Sequence, residues 1–263
     1  MNILGIIPAR MASTRFPGKP LAKILGKAMI YHVYFRSKMT KTLKEVYLAT
    51  CDKEIENYCL ENNINVVMTE DTHQRASDRT AEAMLKIEKQ TGERIDIVMM
   101  IQGDEPMVTP EMIDLAVQPL RKDSSILVAN LMHKLNSGEG QKNPNTIKVV
   151  VDKNNYALYF SRQPIPSGEK VKGDVPRHNQ VAIIPFRRDF LITFNKLTPT
   201  PLEIIESIDM LRILEHGYKI KMVMSEFDTH TVDTPEDLKL VDVLMKNDPL
   251  VPQYGRDNKG AEK

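Results

Sequence analysis

The sequence has no tryptophan, only two cysteines, and no apolar run long enough to cross a membrane. Cys51 and Cys59 are eight residues apart on what we predict to be one helix, which excludes a disulfide scaffold and indicates a reducing compartment. Asn130 interrupts the apolar run at 126–132, whereas a bilayer span needs about 20 apolar residues. The first ten residues lack the basic region of a signal peptide. We therefore expect a cytoplasmic protein without a membrane partner.

Glycine and proline are also scarce, with 12 and 16 residues among 263, which excludes collagen-like and low-complexity chains. A chain of this length fits one large α/β domain or two small ones. The formal net charge of +1 argues against a nucleic-acid partner.

Charge is nevertheless distributed unevenly along the chain. Residues 1–44 contain nine Lys and Arg residues and no acid, whereas the remaining residues carry a net charge of −8. The basic residues at 36–44 are typical of a solvated helix face. Arg10, Arg15 and Lys19 instead lie in a predicted loop, and we expect them to form an anion site.

Apolar runs and helical patterns alternate through the first 120 residues, which predicts a mostly parallel sheet flanked by helices. From residue 125 onward the sequence predicts mainly strands. We therefore predict one domain over 1–246, with a nucleotide-binding half at 1–124, an acceptor-binding and dimerisation half at 125–246, and a loosely held polar tail at 247–263. The predicted strands are 2–7, 45–50, 64–68, 95–101, 125–133, 146–151, 157–160, 181–186 and 219–224. The predicted helices are 29–41, 53–62, 77–90, 109–120, 202–216 and one that begins after Thr234.

The strongest chemical signal is the loop Pro8-Ala-Arg-Met-Ala-Ser-Thr-Arg-Phe-Pro-Gly-Lys-Pro20, which follows the first predicted strand. It combines three cations, two hydroxyls and free backbone N–H groups, which is what a triphosphate needs for binding. The spacing is not that of a Walker A motif, because Ser13 stands where the first glycine is required.

Two further motifs place carboxylates near this loop. Gln102-Gly-Asp-Glu-Pro106 follows the central predicted strand, and Asp104 there is suited to hold Mg²⁺ against phosphates. Asp233 precedes the last predicted helix and offers a second hard oxygen ligand. Helix capping is the alternative role of both residues, and for Asp233 taken alone it is the favoured one.

With these motifs in order, the sequence resembles the CMP-3-deoxy-D-manno-octulosonate (CMP-Kdo) synthetases, which are nucleotidyltransferases with a Rossmann-like sheet. The resemblance extends to about residue 246. The segments that carry it are 6–21, 101–107, 143–149, 156–162, 200–203 and 232–237.

The resemblance implies that CTP and the anomeric hydroxyl of an acid sugar react to give CMP-sugar and pyrophosphate, with Mg²⁺ bound by Asp104 and Asp233. It implies that Arg10, Arg15, Lys19 and Asp104 are catalytic. The implied nucleotide-binding residues are Pro8, Ala9, Arg10, Ser13, Thr14, Arg15, Lys19, Ser77, Arg79, Gln102 and Asp104. The implied acceptor-binding residues are Arg79, Gln102, Arg162, His178, Gln180, Glu203 and Glu206.

The chain departs from the family pattern at two places. Arg75 and Ala76 replace a Ser-Gly pair, and Gln180 stands where the family has a histidine, unless a small insertion shifts that histidine to His178. A neutral glutamine cannot supply the charge-assisted hydrogen bond of a protonated histidine. The acceptor is therefore either Kdo or another anion, such as a modified ulosonate, a sialic-type acid or a phosphonate.

Two other readings remain open. One is a non-catalytic nucleotide-binding module, against which the paired metal carboxylates argue. The other is a nucleotidyltransferase that uses another base, such as UTP. The resemblance also implies a homodimer built with the second half.

Overall fold

A computed structural model of the chain describes residues 1–12, 15–135, 139–170, 172–173 and 175–254. Its strands are β1 (Ile3–Pro8), β2 (Lys23–Ile24), β3 (Lys27–Ala28), β4 (Glu45–Thr50), β5 (Val66–Met68), β6 (Ile97–Ile101), β7 (Ala129–Leu135), β8 (Lys148–Val151), β9 (Ala157–Ser161), β10 (Arg177–Val181), β11 (Ile183–Arg187) and β12 (Lys221–Ser225). Its α-helices are α1 (Met29–Lys38), α2 (Lys53–Glu61), α3 (Ala76–Thr91), α4 (Pro110–Lys122), α5 (Glu139–Lys142), α6 (Arg188–Lys196), α7 (Pro201–Glu206), α8 (Met210–Glu215), α9 (Pro235–Met245) and α10 (Val251–Tyr254).

The first sheet has the strand order β11-β6-β1-β4-β5, and only β11 runs antiparallel. Every residue of β1 and β6 is buried, because helices cover both faces of the sheet. Alternate side chains of β1 therefore enter two different cores: Ile3 and Ile7 pack with α1 and α4, and Leu4 and Ile6 pack with α3 and α6. The predicted parallel sheet is confirmed.

The second sheet has the order β12-β7-β10-β8-β9 and mixes parallel and antiparallel pairs. The single strand predicted at 181–186 is wrong, because the chain changes sheets at Ala182. Residues before it pair in the second sheet as β10, and residues after it pair with β6 as β11. The carbonyl of Ala182 accepts a hydrogen bond from Gln102 N at 3.1 Å, so the two sheets meet at the end of β6.

Three helix predictions also need correction. The helix predicted at 202–216 is two short helices, because Ser207 takes the left-handed conformation with φ 53°. Helix α6 was not predicted at all. The two cysteines do not share a helix, since Cys51 lies before the start of α2 and only Cys59 is within it.

The beginning of the predicted loose tail is packed against the first half. The hydroxyl of Tyr254 lies 3.0 Å from Nδ1 of the buried His32, and Asp248 forms an ion pair with Arg36 at 2.9 Å. Residues 255–263 lie outside the described part of the chain. Within the described part, the helices are all too short or too polar to cross a bilayer.

Candidate functional site

The loop after β1 places Lys19 beside two carboxylates. Gly18, in the left-handed conformation with φ 73°, turns the chain into a short 3₁₀ helix that starts at Lys19. Lys19 Nζ donates to Asp104 Oδ2 at 2.6 Å, to the Val232 carbonyl at 2.9 Å and to Asp233 Oδ1 at 3.5 Å. One ammonium group thus joins the three segments that the motifs predicted to meet.

Asp104 lies in a tight turn directly after β6. Gly103 allows this turn to approach the end of β1, since a Cβ atom there would lie 3.0 Å from the Pro8 carbonyl oxygen. The neighbouring Glu105 is almost fully buried and accepts hydrogen bonds from Thr229 at 2.9 Å and Thr231 at 2.7 Å. Burial, together with the charge of Asp104, raises the pKa of Glu105 to about 7.

Asp233 is positioned by the start of α9. Asp237 Oδ2 accepts hydrogen bonds from Asp233 N at 3.0 Å and Thr234 N at 2.8 Å. The backbone N–H of Val232 donates to the Asp104 carbonyl at 2.9 Å, which brings this segment to the turn after β6. Arg15 also forms an ion pair with Asp233 at 2.9 Å. The predicted cap of α9 is therefore present at Thr234, whose Oγ1 accepts from Asp237 N at 3.2 Å, and the Asp233 carboxylate faces the cations instead.

This pair of carboxylates fits a magnesium ion that is shared with a phosphate ligand. Asp104 and Asp233 both lie within contact of one ammonium group and offer hard oxygen donors. Across the described residues there is no cluster of three or more His, Cys, Asp or Glu side chains suited to a metal. Mg²⁺ commonly binds through one or two carboxylates, with water and substrate phosphates completing its coordination.

A cavity of about 320 Å³ lies between the loop after β1 and the start of α3. Eight of the predicted nucleotide-binding residues line it, namely Pro8, Ala9, Arg10, Arg15, Lys19, Arg79, Gln102 and Asp104. Ser13 and Thr14 were also predicted to bind nucleotide, but they lie outside the described residues.

A second cavity, of about 560 Å³, lies beside the first and extends along the second sheet. Its walls include Arg162, Gln180 and Asp233, all predicted from the sequence. Arg15, Gln102 and Asp104 line both cavities, so the two spaces meet at the predicted metal carboxylate. The arrangement can hold two reactants that meet beside Asp104.

Known proteins resemble this chain in both sequence and fold. A family model described as cytidylyltransferase matches residues 4–220. The 3-deoxy-manno-octulosonate cytidylyltransferase of Geobacter metallireducens is 41% identical over 257 residues, covering 94% of this chain and 99% of the relative. The mitochondrial enzyme of the same name from Arabidopsis thaliana is 40% identical, covering 93% and 83%.

The chain belongs to the 3-deoxy-manno-octulosonate cytidylyltransferase family. A solved structure of a CMP:2-keto-3-deoxy-manno-octonic acid synthetase complexed with CTP superimposes with a TM-score of 0.85 at 36% identity, covering 94% of this chain and 99% of the other. The predicted family, fold and nucleotidyltransferase class are thus confirmed.

Two residues of this cytidylyltransferase that were predicted to bind substrates line neither cavity. Ser77 is fully buried in α3, where its carbonyl accepts a hydrogen bond from Asn195 at 3.0 Å. His178 is in β10, opposite Lys134 of β7, and lines neither cavity. Its pKa is lowered by burial, and the charge of Lys134 lowers it further. Of these two alternatives, only Gln180 lines the larger cavity.

Both predicted acceptor glutamates are bound to neighbouring protein groups, and neither lines a cavity. Glu203 forms a buried two-pronged ion pair with Arg212, with both distances at 2.6 Å. Glu206 accepts hydrogen bonds from Ser161 at 2.7 Å and from Arg162 N at 2.9 Å, and these bonds keep the pKa of Glu206 low despite its partial burial. Sequence spacing could not distinguish these structural contacts from sugar contacts.

Arg162 lines the larger cavity, but its guanidinium group binds the chain itself. It donates to the carbonyls of Glu206 at 2.7 Å, Pro144 at 2.8 Å and Ser207 at 3.1 Å. Arg162 therefore shapes the cavity wall by joining two loops.

Sequence reasoning missed several residues of these walls. His73, Gln74 and Arg75 line the smaller cavity, and Glu105 and Asp209 line the larger one. Arg75 had a signal, because it departs from the family pattern, and in the structure it pairs with Asp78 at 2.7 Å. No feature of the sequence pointed to Asp209, because it lies in the break between α7 and α8, where one continuous helix was predicted.

Proposed function

We propose that this protein couples CTP to Kdo, giving CMP-Kdo and pyrophosphate. The observation that carries the proposal is the meeting of the two cavities at Arg15, Gln102 and Asp104. The names of the relatives and the CTP complex of the structural neighbour support the same pair of substrates. In this reaction the oxygen of the anomeric hydroxyl forms a bond to the α-phosphorus and gives up its proton to solvent, while the bond between the α-phosphorus and the leaving pyrophosphate breaks.

The triphosphate would lie in the smaller cavity, against Arg10, Arg15 and Lys19. Arginine forks and a lysine ammonium match phosphate oxygens, and they stabilise the charge that grows on the pyrophosphate. Pro8 and Ala9 would form the wall behind the nucleotide. Arg79 lines the same cavity from α3, and its guanidinium group is held by Thr69 and the Glu70 carbonyl.

Asp104 and Asp233 would hold Mg²⁺, which when bound neutralises phosphate charge and allows two anionic substrates to approach each other. Lys19 keeps the two carboxylates together through its contacts at 2.6 and 3.5 Å. Gln102, at the junction of the cavities, would contact both substrates.

We also infer a homodimer formed by the second half of the chain. Leu158 on β9 and Ile204 and Ile205 on α7 are 61%, 68% and 77% exposed, and a second copy of the chain would cover these apolar side chains. Sedimentation or light scattering at micromolar concentration should give a mass near twice 30.0 kDa.

The test of the proposed reaction is pyrophosphate release from purified protein with Mg²⁺. CTP should be used in parallel with UTP, ATP and GTP, and Kdo in parallel with a modified ulosonate, a sialic-type acid and a phosphonate. We expect turnover with CTP and Kdo. Turnover with CTP and another acceptor alone would reassign the substrate, and tight CTP binding without pyrophosphate release would indicate a binding module.

A further inference from the structure

A loop of the second half, at 143–146, reaches the cationic loop of the first half. Arg15 Nη1 donates a hydrogen bond to Asn145 Oδ1 at 2.7 Å, and Arg15 Nη2 pairs with Asp233 Oδ1 at 2.9 Å. Arg15 and Asn145 are 130 positions apart in the sequence. Both line the larger cavity, and Arg15 also lines the smaller one. The second half therefore holds a cation that the proposed reaction places against the triphosphate.

A buried lysine fixes the shape of loop 143–146. Lys148, at the start of β8, is fully buried. Its ammonium group donates to the carbonyls of Asn143 at 2.8 Å, Thr146 at 2.7 Å and Arg162 at 2.5 Å. An ammonium group has three donors, and a buried charge is tolerated only when such bonds replace water. The three hydrogen bonds of Lys148 therefore hold both ends of the loop and join it to the end of β9.

Further hydrogen bonds orient Asn145 within the loop. The backbone N–H of Asn145 donates to Asn143 Oδ1 at 2.9 Å, and the N–H of Thr146 donates to the Asn143 carbonyl at 3.2 Å. Between them, the Pro144 carbonyl accepts from Arg162 Nη1 at 2.8 Å. With every residue of the loop held in this way, the Asn145 side chain is presented to Arg15 from a fixed backbone.

The contact suits a cation that must later bind phosphate. The Arg15 side chain is half exposed, so ordering it only when the triphosphate arrives would cost rotamer entropy. A guanidinium group can only donate, so the atom of Asn145 that faces it is the oxygen. That oxygen is uncharged, and it holds Arg15 without cancelling its charge as a carboxylate would. Since a guanidinium group has five N–H donors, the contacts to Asn145 and Asp233 leave donors for phosphate oxygens.

We propose that Asn145 is a positioning residue, which orients Arg15 for the triphosphate of CTP. Lys148 supports this role by holding the loop that carries Asn145. The proposal rests on the proposed function, and it adds that the acceptor-binding half of the chain helps to bind the donor substrate.

The test is a double-mutant cycle made of wild type, Asn145→Ala, Arg15→Met and the double variant. The affinity for CTP is measured by calorimetry, and kcat and KM are measured by pyrophosphate release. Asn145→Ala should lower both the affinity for CTP and kcat/KM for CTP about 5- to 10-fold. In the Arg15→Met background the same exchange should change the affinity for CTP less than twofold, because the side chain through which Asn145 acts is gone.

Two controls separate this role from folding and from contact with the acceptor. Asn154→Ala makes the same exchange at an exposed position that lines neither cavity, and it should leave CTP affinity as in wild type. The KM for Kdo should stay within twofold in Asn145→Ala. A loss caused by a disturbed fold or by a missing acceptor contact would persist in the Arg15→Met background, whereas a loss that acts through Arg15 would not.

The outcomes distinguish the two proposals. If Asn145→Ala leaves CTP affinity unchanged, or lowers it equally with and without Arg15, the inference about Asn145 is overturned and the proposed reaction stands. If wild type binds CTP but releases no pyrophosphate with Kdo, the proposed reaction is overturned and the cycle of CTP affinities still decides the role of Asn145. If wild type does not bind CTP, both are overturned.

Discussion

The two sheets of this cytidylyltransferase carry the site in different ways. In the first sheet β1 and β6 are buried along their length, and Lys19 and Asp104 lie in the loops that follow them. In the second sheet β10 is only partly buried, and the cavity residues are scattered along its face and between short helices. The difference teaches that a parallel sheet gathers site residues at the ends of its strands, whereas the antiparallel pairs of β10 with β7 and β8 present them along a face.

If the first-sheet loops hold the reacting phosphates, Asp104→Asn will cause the largest loss. The amide removes one negative charge from the two carboxylates proposed to hold Mg²⁺, so kcat/KM should fall by about a thousandfold or more. Pyrophosphate release and circular dichroism measure activity and fold together. The exposed Asp71→Asn is the matched control. Near-normal turnover of Asp104→Asn would show that the metal assignment is wrong.

Lys19→Met should come next, with a loss of about a hundredfold. The substitution removes the ammonium that joins Asp104, Asp233 and the triphosphate, so kcat should fall and the KM for CTP should rise. Steady-state kinetics with varied CTP measure both constants, and the exposed Lys23→Met serves as the comparison. A change confined to KM would limit Lys19 to ground-state binding.

In the second half, Glu203→Gln should affect stability more than chemistry. It leaves Arg212, which is 3% exposed, without its buried counter-charge, which typically costs about 3–5 kcal/mol. Urea unfolding should show this loss, while the KM for the acceptor changes less than threefold. The control Glu236→Gln, at an exposed position, should change neither the stability nor the KM for the acceptor. A tenfold rise in acceptor KM with stability unchanged would restore Glu203 as a sugar ligand.

The smallest effect concerns pH and the packed part of the C-terminal segment. Burial lowers the pKa of His32, which lies between the Ile24 carbonyl and Tyr254, and the charge of Arg36 adds to this. Between the lowered pKa and the ordinary value of 6.5, the unfolded chain binds a proton that the folded chain does not. Stability should therefore be complete above pH 6.5 and decline as the pH falls below it.

Thermal unfolding at a series of pH values measures this decline. His32→Gln removes the titrating group and should flatten the dependence, while the surface exchange His216→Gln should leave it as in wild type. An unchanged slope in His32→Gln would place the acid sensitivity elsewhere in the molecule.

Prediction from the sequence succeeded best where local pattern and burial agree. The strands β1, β4 and β6 and the cap at Thr234 were predicted close to their observed bounds, because continuous apolar runs and capping residues act locally. The break at Ser207 and the change of sheet at Ala182 were not predicted. Both depend on packing against distant strands, which leaves no local signal.

The sequence by itself determined the alternation of the longer strands and helices in the first half, the cationic loop, and the two carboxylates that meet its lysine. These are contiguous motifs, and their chemistry follows from residue type and spacing. Only the tertiary structure decided which polar side chains face a ligand. Glu203 and Gln180 are both polar residues of the second half, but Arg212 neutralises the first, whereas the second lines the larger cavity with its Nε2 bound to Asn130. Hydrogen-bond partners from other helices and strands make that choice, because a buried polar group binds whatever the fold places beside it.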